Sequence, residues 1–434
     1  MTLLEKLNIL AGSAKYDVSC ATSGAVRRAA DGSVSTMPGI CHSWASDGRC
    51  ISLLKVLFTN HCQYNCRYCL NRRSNDVPRA AFTPEELAKL TIDFYTRNYV
   101  EGLFLSSGVV QSPDHTMGLL LRTIRLLREE YRFQGYIHLK IIPGASKALV
   151  DEAVRLTDRV SVNVEFASAA SLSSMAPDKH WHDVMGPMAH AASVIKEAAD
   201  ARKGPVAGKD RIAATGQSTQ LIVGATEDND AGILTLADRL YRREGLKRVY
   251  YSAYVPVNAD APTARPPLLR EHRLYQADWL IRVYGFGVDE VVGMNVASRA
   301  GSERGMLDLS LDPKAAWAIR HLERFPLEVN KASHEQLLRV PGVGLQSAWR
   351  IVHARREKRL TLDDLKELRV VMKRARHFVT ASGRYGGDGA PSVSRVIGSL
   401  TASDPIHKHA EQQFTFLEPQ RTSEARWSAL TGEL

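Results

Sequence analysis

Six short apolar runs, each followed by a helix-like stretch, organise the middle of the chain. They are Ile51–Thr59, Gly102–Ser107, Tyr136–Ile142, Val160–Phe166, Ser218–Gly224 and Arg248–Tyr254. Strands that alternate with helices pair in parallel, because each right-handed crossover returns the chain to the same end of the sheet. Six such units predict an open or partial α/β barrel, with functional residues at the C-terminal strand ends. The intervening helices carry start signals. Thr83, Pro84 and Glu86 make a capping box with proline at the first helical position, and Ser112–Pro113 opens a second helix. Ser146 is placed to cap a third. Helical stretches Leu268–Tyr284 and Pro313–Arg324 follow.

At 434 residues the chain is long enough for two or three domains. The reading divides it into an extension at 1–50, a barrel with its closing helices at 51–325, a basic module at 326–384 and a Gly/Ser/Pro-rich flexible tail at 385–434. Its 44% hydrophobic and 24% charged residues exclude wholesale disorder. No run reaches the ~18 apolar residues of a membrane span. The first residues lack a basic segment before a long apolar stretch, so the expected setting is the cytoplasm, with no membrane partner. There, six cysteines point to metal or catalysis rather than disulfides.

Three of the cysteines cluster. Cys62, Cys66 and Cys69 follow the first strand in HCQYNCRYCLNR, spaced C-x3-C-x2-C. Thiolates are soft ligands that suit iron–sulfur clusters or zinc. Three ligands on a four-iron cluster leave one iron open for chemistry, whereas a structural zinc wants a fourth ligand at fixed spacing. His61 adjoins Cys62 and fits zinc spacing poorly. Cys20, Cys41 and Cys50 match no compact ligand pattern; buried thiols, a second metal site and a hydrogen donor all remain open.

The triplet after the first strand of a six-unit α/β chain resembles the radical S-adenosylmethionine superfamily, over about Ile51–Asn295. The resemblance implies a 4Fe–4S cluster on Cys62, Cys66 and Cys69, with S-adenosylmethionine chelated at the open iron. It implies one-electron cleavage of the sulfonium to methionine and a 5′-deoxyadenosyl radical, and hence an electron donor such as flavodoxin or ferredoxin. Tyr68, before the third cysteine, corresponds to the residue beside adenine. Ser106, Ser107 and Gly108 stand where many members carry Gly-Gly-Glu against the methionyl amino group. Lys140 and Ser161 resemble the photoproduct-lyase layout around the methionyl carboxylate and other polar groups of the cofactor. Asn163 and Glu165 alternate with Ser161, and Val223 and Gly224 offer an adenine wall. No catalytic residue is assigned. In the photoproduct-lyase group a cysteine at the second strand end returns hydrogen to the product. Ser106 stands there in this chain, and an O–H bond is a poor hydrogen donor to a carbon radical.

The basic module carries a second signal. Between Pro326 and Arg384 thirteen Lys/Arg stand against six Asp/Glu, a net of +7 in a chain of net +10. Two helical runs flank Pro341-Gly342-Val343-Gly344, and Arg350, Arg355, Arg356, Lys358 and Arg359 follow. Exposed N–H groups at a helix N-terminus bind phosphate without reading a base. This resembles a helix-hairpin-helix motif, which implies nucleic-acid contact by Gly342, Val343, Gly344 and those cations. A degenerate copy follows in LTLDDLKELRVVMKRARHFV, with Arg369 where a hairpin glycine is expected. In REHRLYQADWLIRVYGF, cations and aromatics alternate on a helix read as closing the barrel, with Arg273 or His272 reaching substrate as the other reading.

The expected fold is therefore α/β: a partial (β/α)6 radical SAM barrel with a C-terminal all-α helix-hairpin-helix domain. DGRCISLLKVLFTNHC, REHRLYQADWLIRVYGF and LEVNKASHEQLLRVPGVG resemble a bacterial group of radical S-adenosylmethionine proteins described as acting in DNA modification or repair. That group is encoded beside a uracil-DNA-glycosylase-like protein, which the resemblance implies as a partner. The expected function is a radical enzyme that modifies or repairs DNA. The alternatives are an RNA-modifying enzyme and a non-catalytic, cluster-bearing DNA adaptor for the glycosylase-like protein.

Overall fold

The computed structural model describes residues 1–14, 22–23, 26–28, 34–36, 39–44, 50–201, 213, 215–293, 304–387, 389 and 393–403. Two compact units are present: one built from 1–228 and 239–266, the other from 229–238 and 267–403. Cys20 lies outside the described residues.

In the first unit, helix α1 (Leu3–Ser13) starts on a capping box in which Thr2 and Glu5 satisfy each other's backbone N–H, and it buries Leu7, Leu10 and Ala11. Strand β1 (Thr22–Ser23), a small hairpin of β2 (Val26–Arg28) and β3 (Val34–Thr36), and β4 (Ile40–Trp44) follow. Then the βα alternation begins with β5 (Cys50–Leu57). It continues through α2 (Pro84–Thr96), β6 (Gly102–Ser106), α3 (Pro113–Arg125), β7 (Tyr136–Lys140), α4 (Lys147–Leu156) and β8 (Arg159–Ser161). Helices α5 (Ala169–Met175) and α6 (Trp181–Ala201) lead to β9 (Gln217–Val223), and β10 (Arg248–Ala253) is the last strand; between them in sequence runs α7 (Asp230–Arg243), whose residues 230–238 count with the second unit.

These strands form one sheet in the order β1-β4-β5-β6-β7-β8-β9-β10. From β5 to β10 every pair is parallel and sequential; β4 pairs antiparallel to β5, and β1 to β4. A sheet wound in one direction throughout takes its right-handed crossovers on one face, so the strands curl about the other as a partial barrel. Thr83 and Glu86 form the predicted capping box, and Ser112 accepts from His115 N–H. Ser146 holds the N-cap position without a side-chain bond.

The predicted strand Val160–Phe166 is shorter than its apolar run suggests. Pairing stops at Ser161, and Glu165 turns to a left-handed φ of 66°, keeping one isolated bridge to Leu221. A non-glycine residue held there carries strain, a feature that concentrates at functional sites.

The second unit holds α8 (Leu268–Tyr284), α9 (Val288–Val292) and α10 (Pro313–Arg320). Arg270 pairs with Asp230 at 2.8 Å, and the buried Arg273 donates to the Leu309 carbonyl at 3.1 Å. Next come β11 (Leu327–Glu328), α11 (His334–Arg339), α12 (Leu345–Glu357), α13 (Leu362–Glu367), α14 (Met372–Ala375), β12 (Val379–Ala381) and β13 (Arg384–Tyr385). The expectation that 326–384 is all-α is corrected. β11, β12 and β13 form a three-stranded sheet, whose β12–β13 hairpin turns on Ser382 and Gly383, both at positive φ. Two positive-φ residues in a two-residue loop match the twist of antiparallel strands. The expected flexible tail also contains α15 (Val393–Ser403), which buries Val396 and Leu400. Their i, i+4 spacing gives an apolar stripe that the Gly/Ser/Pro-rich composition masks. No helix among the described residues is long and apolar enough to cross a membrane.

Candidate active site

The cysteine loop leaves the C-terminal end of β5 and is tied at its base. Phe82 N–H donates to Phe58, and Asn60 N–H to Ala80 at 3.3 Å. The Asn60 amide oxygen accepts from Ala80 N–H at 2.8 Å. Arg79 donates to the carbonyls of Asn60, Asn71, Arg72 and Asn75, satisfying backbone groups that a loop without regular structure leaves open. Asn258 does the same for Arg67 at 2.7 Å and Cys69 at 3.0 Å.

The segment after β6 docks against this loop. Gly108 N–H donates to Thr59 at 2.7 Å, and Gln63 N–H to Val109 at 2.8 Å. A Cβ on Gly108 would sit 2.3 Å from the His61 carbonyl oxygen, so only glycine permits the approach. That approach brings Val109 N–H within 3.4 Å of Cys62 Sγ. An N–H aimed at sulfur stabilises a thiolate and tunes a metal bound to it. A cleft of about 360 Å³ opens beside Cys62, while Cys66 is buried.

Burial raises the Cys66 thiol pKa; it pushes Cys69 up to about 12, with Cys66 adding to the effect. Cys62 also contributes to both shifts, so the three sulfurs feel one another across the loop. Burial thus favours the neutral thiols, and a bound cation would be what holds them as thiolates. Among the described residues no three His, Cys, Asp or Glu side chains converge as closely as a single metal ion demands. A multi-iron cluster asks for less convergence, because each thiolate takes its own iron. The fit to a cluster rests on the donors themselves, three soft thiols on one loop.

Three sequence-predicted residues meet next to the loop. Tyr68 stands edge-on to Phe166 at 5.5 Å, and its hydroxyl accepts from Lys179 Nζ at 2.8 Å. Lys179 also pairs with the Glu165 carboxylate at 3.3 Å. Asn163 donates to Gln220 at 3.3 Å and approaches Glu165 at 3.5 Å. Burial works against the Lys179 ammonium, yet Cys66 and Glu165 hold its pKa above the ordinary value. Burial beside Glu165 lifts Tyr68 well above the usual phenol range. Lys179 is the hub, and sequence reading misses it. It lies between α5 and α6 with no periodic signal and reaches Tyr68 across 111 residues of chain. Arg79 and Asn258 escape for the same reason.

Ser106 is buried at the end of β6, and its carbonyl accepts from Phe58 N–H at 2.7 Å. The Ser107 hydroxyl donates to the Gly108 carbonyl at 2.6 Å. Lys140 and Ser161 are register partners on β7 and β8; the Ser161 hydroxyl lies 3.0 Å from His138 Nε2, a partner the sequence reading did not supply. Val223 ends β9 fully buried, and Gly224 follows at φ 83°. Cys41 packs in the core with Ile51, Leu53 and Phe104, whereas Cys50 is exposed. Their ladder partners, Leu53 and Trp44, put the two thiols on opposite faces of the sheet, which excludes a shared metal site.

In the second unit two helical hairpins nest turn against turn. Val371 N–H donates to the Gly342 carbonyl at 2.9 Å, and the Ser347 hydroxyl to Arg369 at 2.9 Å. Gly342 has φ 85°, and a Cβ there would lie 2.6 Å from the Val371 carbonyl oxygen. Arg369 takes φ 62°, the conformation of the glycine it replaces. Gly344 caps α12, and the Val343 carbonyl accepts from buried Lys314 at 2.6 Å. Burial lowers the Lys314 pKa to about 7. Of the predicted cations, Arg350 bonds Gln346, Arg356 and Arg359 are exposed, and Lys358 pairs with Asp364 at 2.6 Å. Arg355 turns inward, donating to the Val329 and Ala332 carbonyls.

Residues 56–240 match the family described as the Radical SAM superfamily. No curated protein matches the chain. Among solved structures, the FeFe-hydrogenase maturase HydG from Carboxydothermus hydrogenoformans is similar with a TM-score of 0.36 and 16% identity, covering 48% of this chain and 46% of that one. A second structure of HydG, a maturase of the FeFe-hydrogenase, gives 0.34 and 15%, covering 45% and 41%. The chain thus spans less than half the length of these structures. Superfamily members use a 4Fe–4S cluster and S-adenosylmethionine, the cofactors that the match over residues 56–240 points to for this chain.

Proposed function

We propose that this protein is a radical S-adenosylmethionine enzyme that modifies or repairs DNA. The observation that carries the reading is the nesting of the two hairpin turns, Gly342 against Val371, within a segment of net +7. Paired hairpins of this kind offer backbone N–H groups to phosphates, and the cations around them supply the sequence-independent attraction. Lys331, Arg356, Arg359 and Lys373 make no ion pair among the described residues and are available for that role. Cys62, Cys66 and Cys69 would hold the cluster, with Tyr68, Asn163, Glu165 and Lys179 beside the bound S-adenosylmethionine. When bound, the cluster and S-adenosylmethionine would supply a carbon-centred radical able to remove hydrogen from an unreactive C–H bond. The resemblance adds a uracil-DNA-glycosylase-like partner and a small electron-transfer protein to the proposal, and the sequence reading adds a cytoplasmic setting.

The reading favours modification, or repair other than thymine-photoproduct reversal. Ser106 offers only a hydroxyl. Cys41 is sealed in the core, and Cys50 starts β5 about 23 Å of strand away from Leu57. Neither of these two reaches a radical formed at the C-terminal strand ends, which leaves Cys20, outside the described residues, or a tyrosine as the donor a lyase would need. Competition against a labelled DNA duplex tests the substrate class. Unlabelled DNA should displace the label at lower concentration than RNA of matched sequence and length, at fixed salt. Equal displacement, or a preference for RNA, overturns the DNA reading.

A further inference from the structure

Helix α12 presents an outward stripe of Gln346, Trp349, His353 and Arg356, spaced i, i+3, i+7, i+10, with Arg350 at its edge. All four stripe residues are exposed, and Trp349 is 58% exposed. Trp349 leaves a large aromatic face in solvent, although a single exposed apolar side chain is by itself ordinary. This indole is also held in place. The His353 ring stacks on it at 3.8 Å and 29°, and His353 Nδ1–H donates to the Trp349 carbonyl at 2.9 Å. The ring pair is therefore a preorganised platform, which lowers the ordering cost of whatever lands on it.

The neighbours select the occupant. The other stripe residues are polar or cationic, and Arg356 makes no ion pair among the described residues. One aromatic among cations suits a nucleic-acid strand, where a base takes the ring and phosphates take the charges. An apolar protein groove would want further hydrophobic side chains beside the indole. Bases within a duplex already stack on each other; only an unpaired or extruded base has a face to offer.

We infer that the Trp349–His353 pair is a stacking platform for an unpaired base of DNA, giving the protein a preference for locally opened over fully paired duplex. The inference rests on the DNA reading above. The test measures the affinity of the full-length protein for a paired duplex and for the same duplex with a short unpaired bubble. The wild-type protein should favour the bubble about tenfold or more, the size of one base–aromatic stack. Trp349→Ala should bring the ratio close to one, and Trp349→Phe should keep most of it. Wild-type protein that binds both DNAs equally, or a Trp349→Ala ratio equal to wild type, overturns the platform and leaves the DNA reading standing. Loss of self-association in Trp349→Ala with an unchanged ratio would assign the face to a second copy of the chain, against the inference. Absence of any DNA binding removes the DNA reading and the platform together.

Discussion

Replacing Cys62, Cys66 and Cys69 together with Ala will give protein with no cluster absorption at this site and no 5′-deoxyadenosine on reduction with S-adenosylmethionine. The expectation follows from the loop's construction. Its three thiols are the soft donors at this strand end, and Val109 N–H is already aimed at the first of them. The Arg79 and Asn258 contacts go to backbone carbonyls and survive the substitutions, so the loop keeps its scaffold while losing its donors. Iron analysis adds a second readout. Cys41 and Cys50 lie on opposite sheet faces, so they cannot hold iron jointly in the variant. A variant that still cleaves S-adenosylmethionine would show the cluster to be elsewhere.

The second large effect is electrostatic. Arg356→Glu, Arg359→Glu and Lys373→Glu reverse three exposed cations that make no ion pair among the described residues. If each meets one phosphate, the log–log salt slope for duplex DNA should flatten by about 2.7. Affinity at low salt should fall by orders of magnitude, with iron content unchanged. An unaltered slope would separate the basic module from DNA. Arg355 makes the control in the opposite sense. Its guanidinium caps the Val329 and Ala332 carbonyls, so its loss should lower the melting temperature of the second unit. Truncation before Pro326 is a poorer test, because 267–325 belong to the same compact unit as the hairpins.

The parts of this molecule that sequence exposes are those governed by local rules. Strand runs β5, β6, β7, β9 and β10 lie within a few residues of the apolar alternation, and α8 coincides with its predicted span. Thr83 with Glu86 and Ser112 cap as their spacing implies. Arg369 adopts the backbone conformation expected of the glycine it replaces, because neighbouring contacts at Gly342 and Ser347 hold the turn. The hidden parts depend on distant contacts. Glu165 leaves the strand it would otherwise extend to meet Lys179, and nothing local announces either event. The Thr2–Glu5 capping box of α1 was legible in principle, but a single box amid small residues carries little weight without the helix body behind it.

The most direct measurement is mass spectrometry of nucleosides from DNA incubated with reduced protein and S-adenosylmethionine, with 5′-deoxyadenosine quantified in the same reaction. A radical enzyme acting on DNA predicts 5′-deoxyadenosine that rises with added DNA, together with a deoxynucleoside of altered mass or the loss of a damaged one. S-adenosylmethionine cleavage indifferent to DNA, with every deoxynucleoside unchanged in intact and damaged DNA alike, would contradict it.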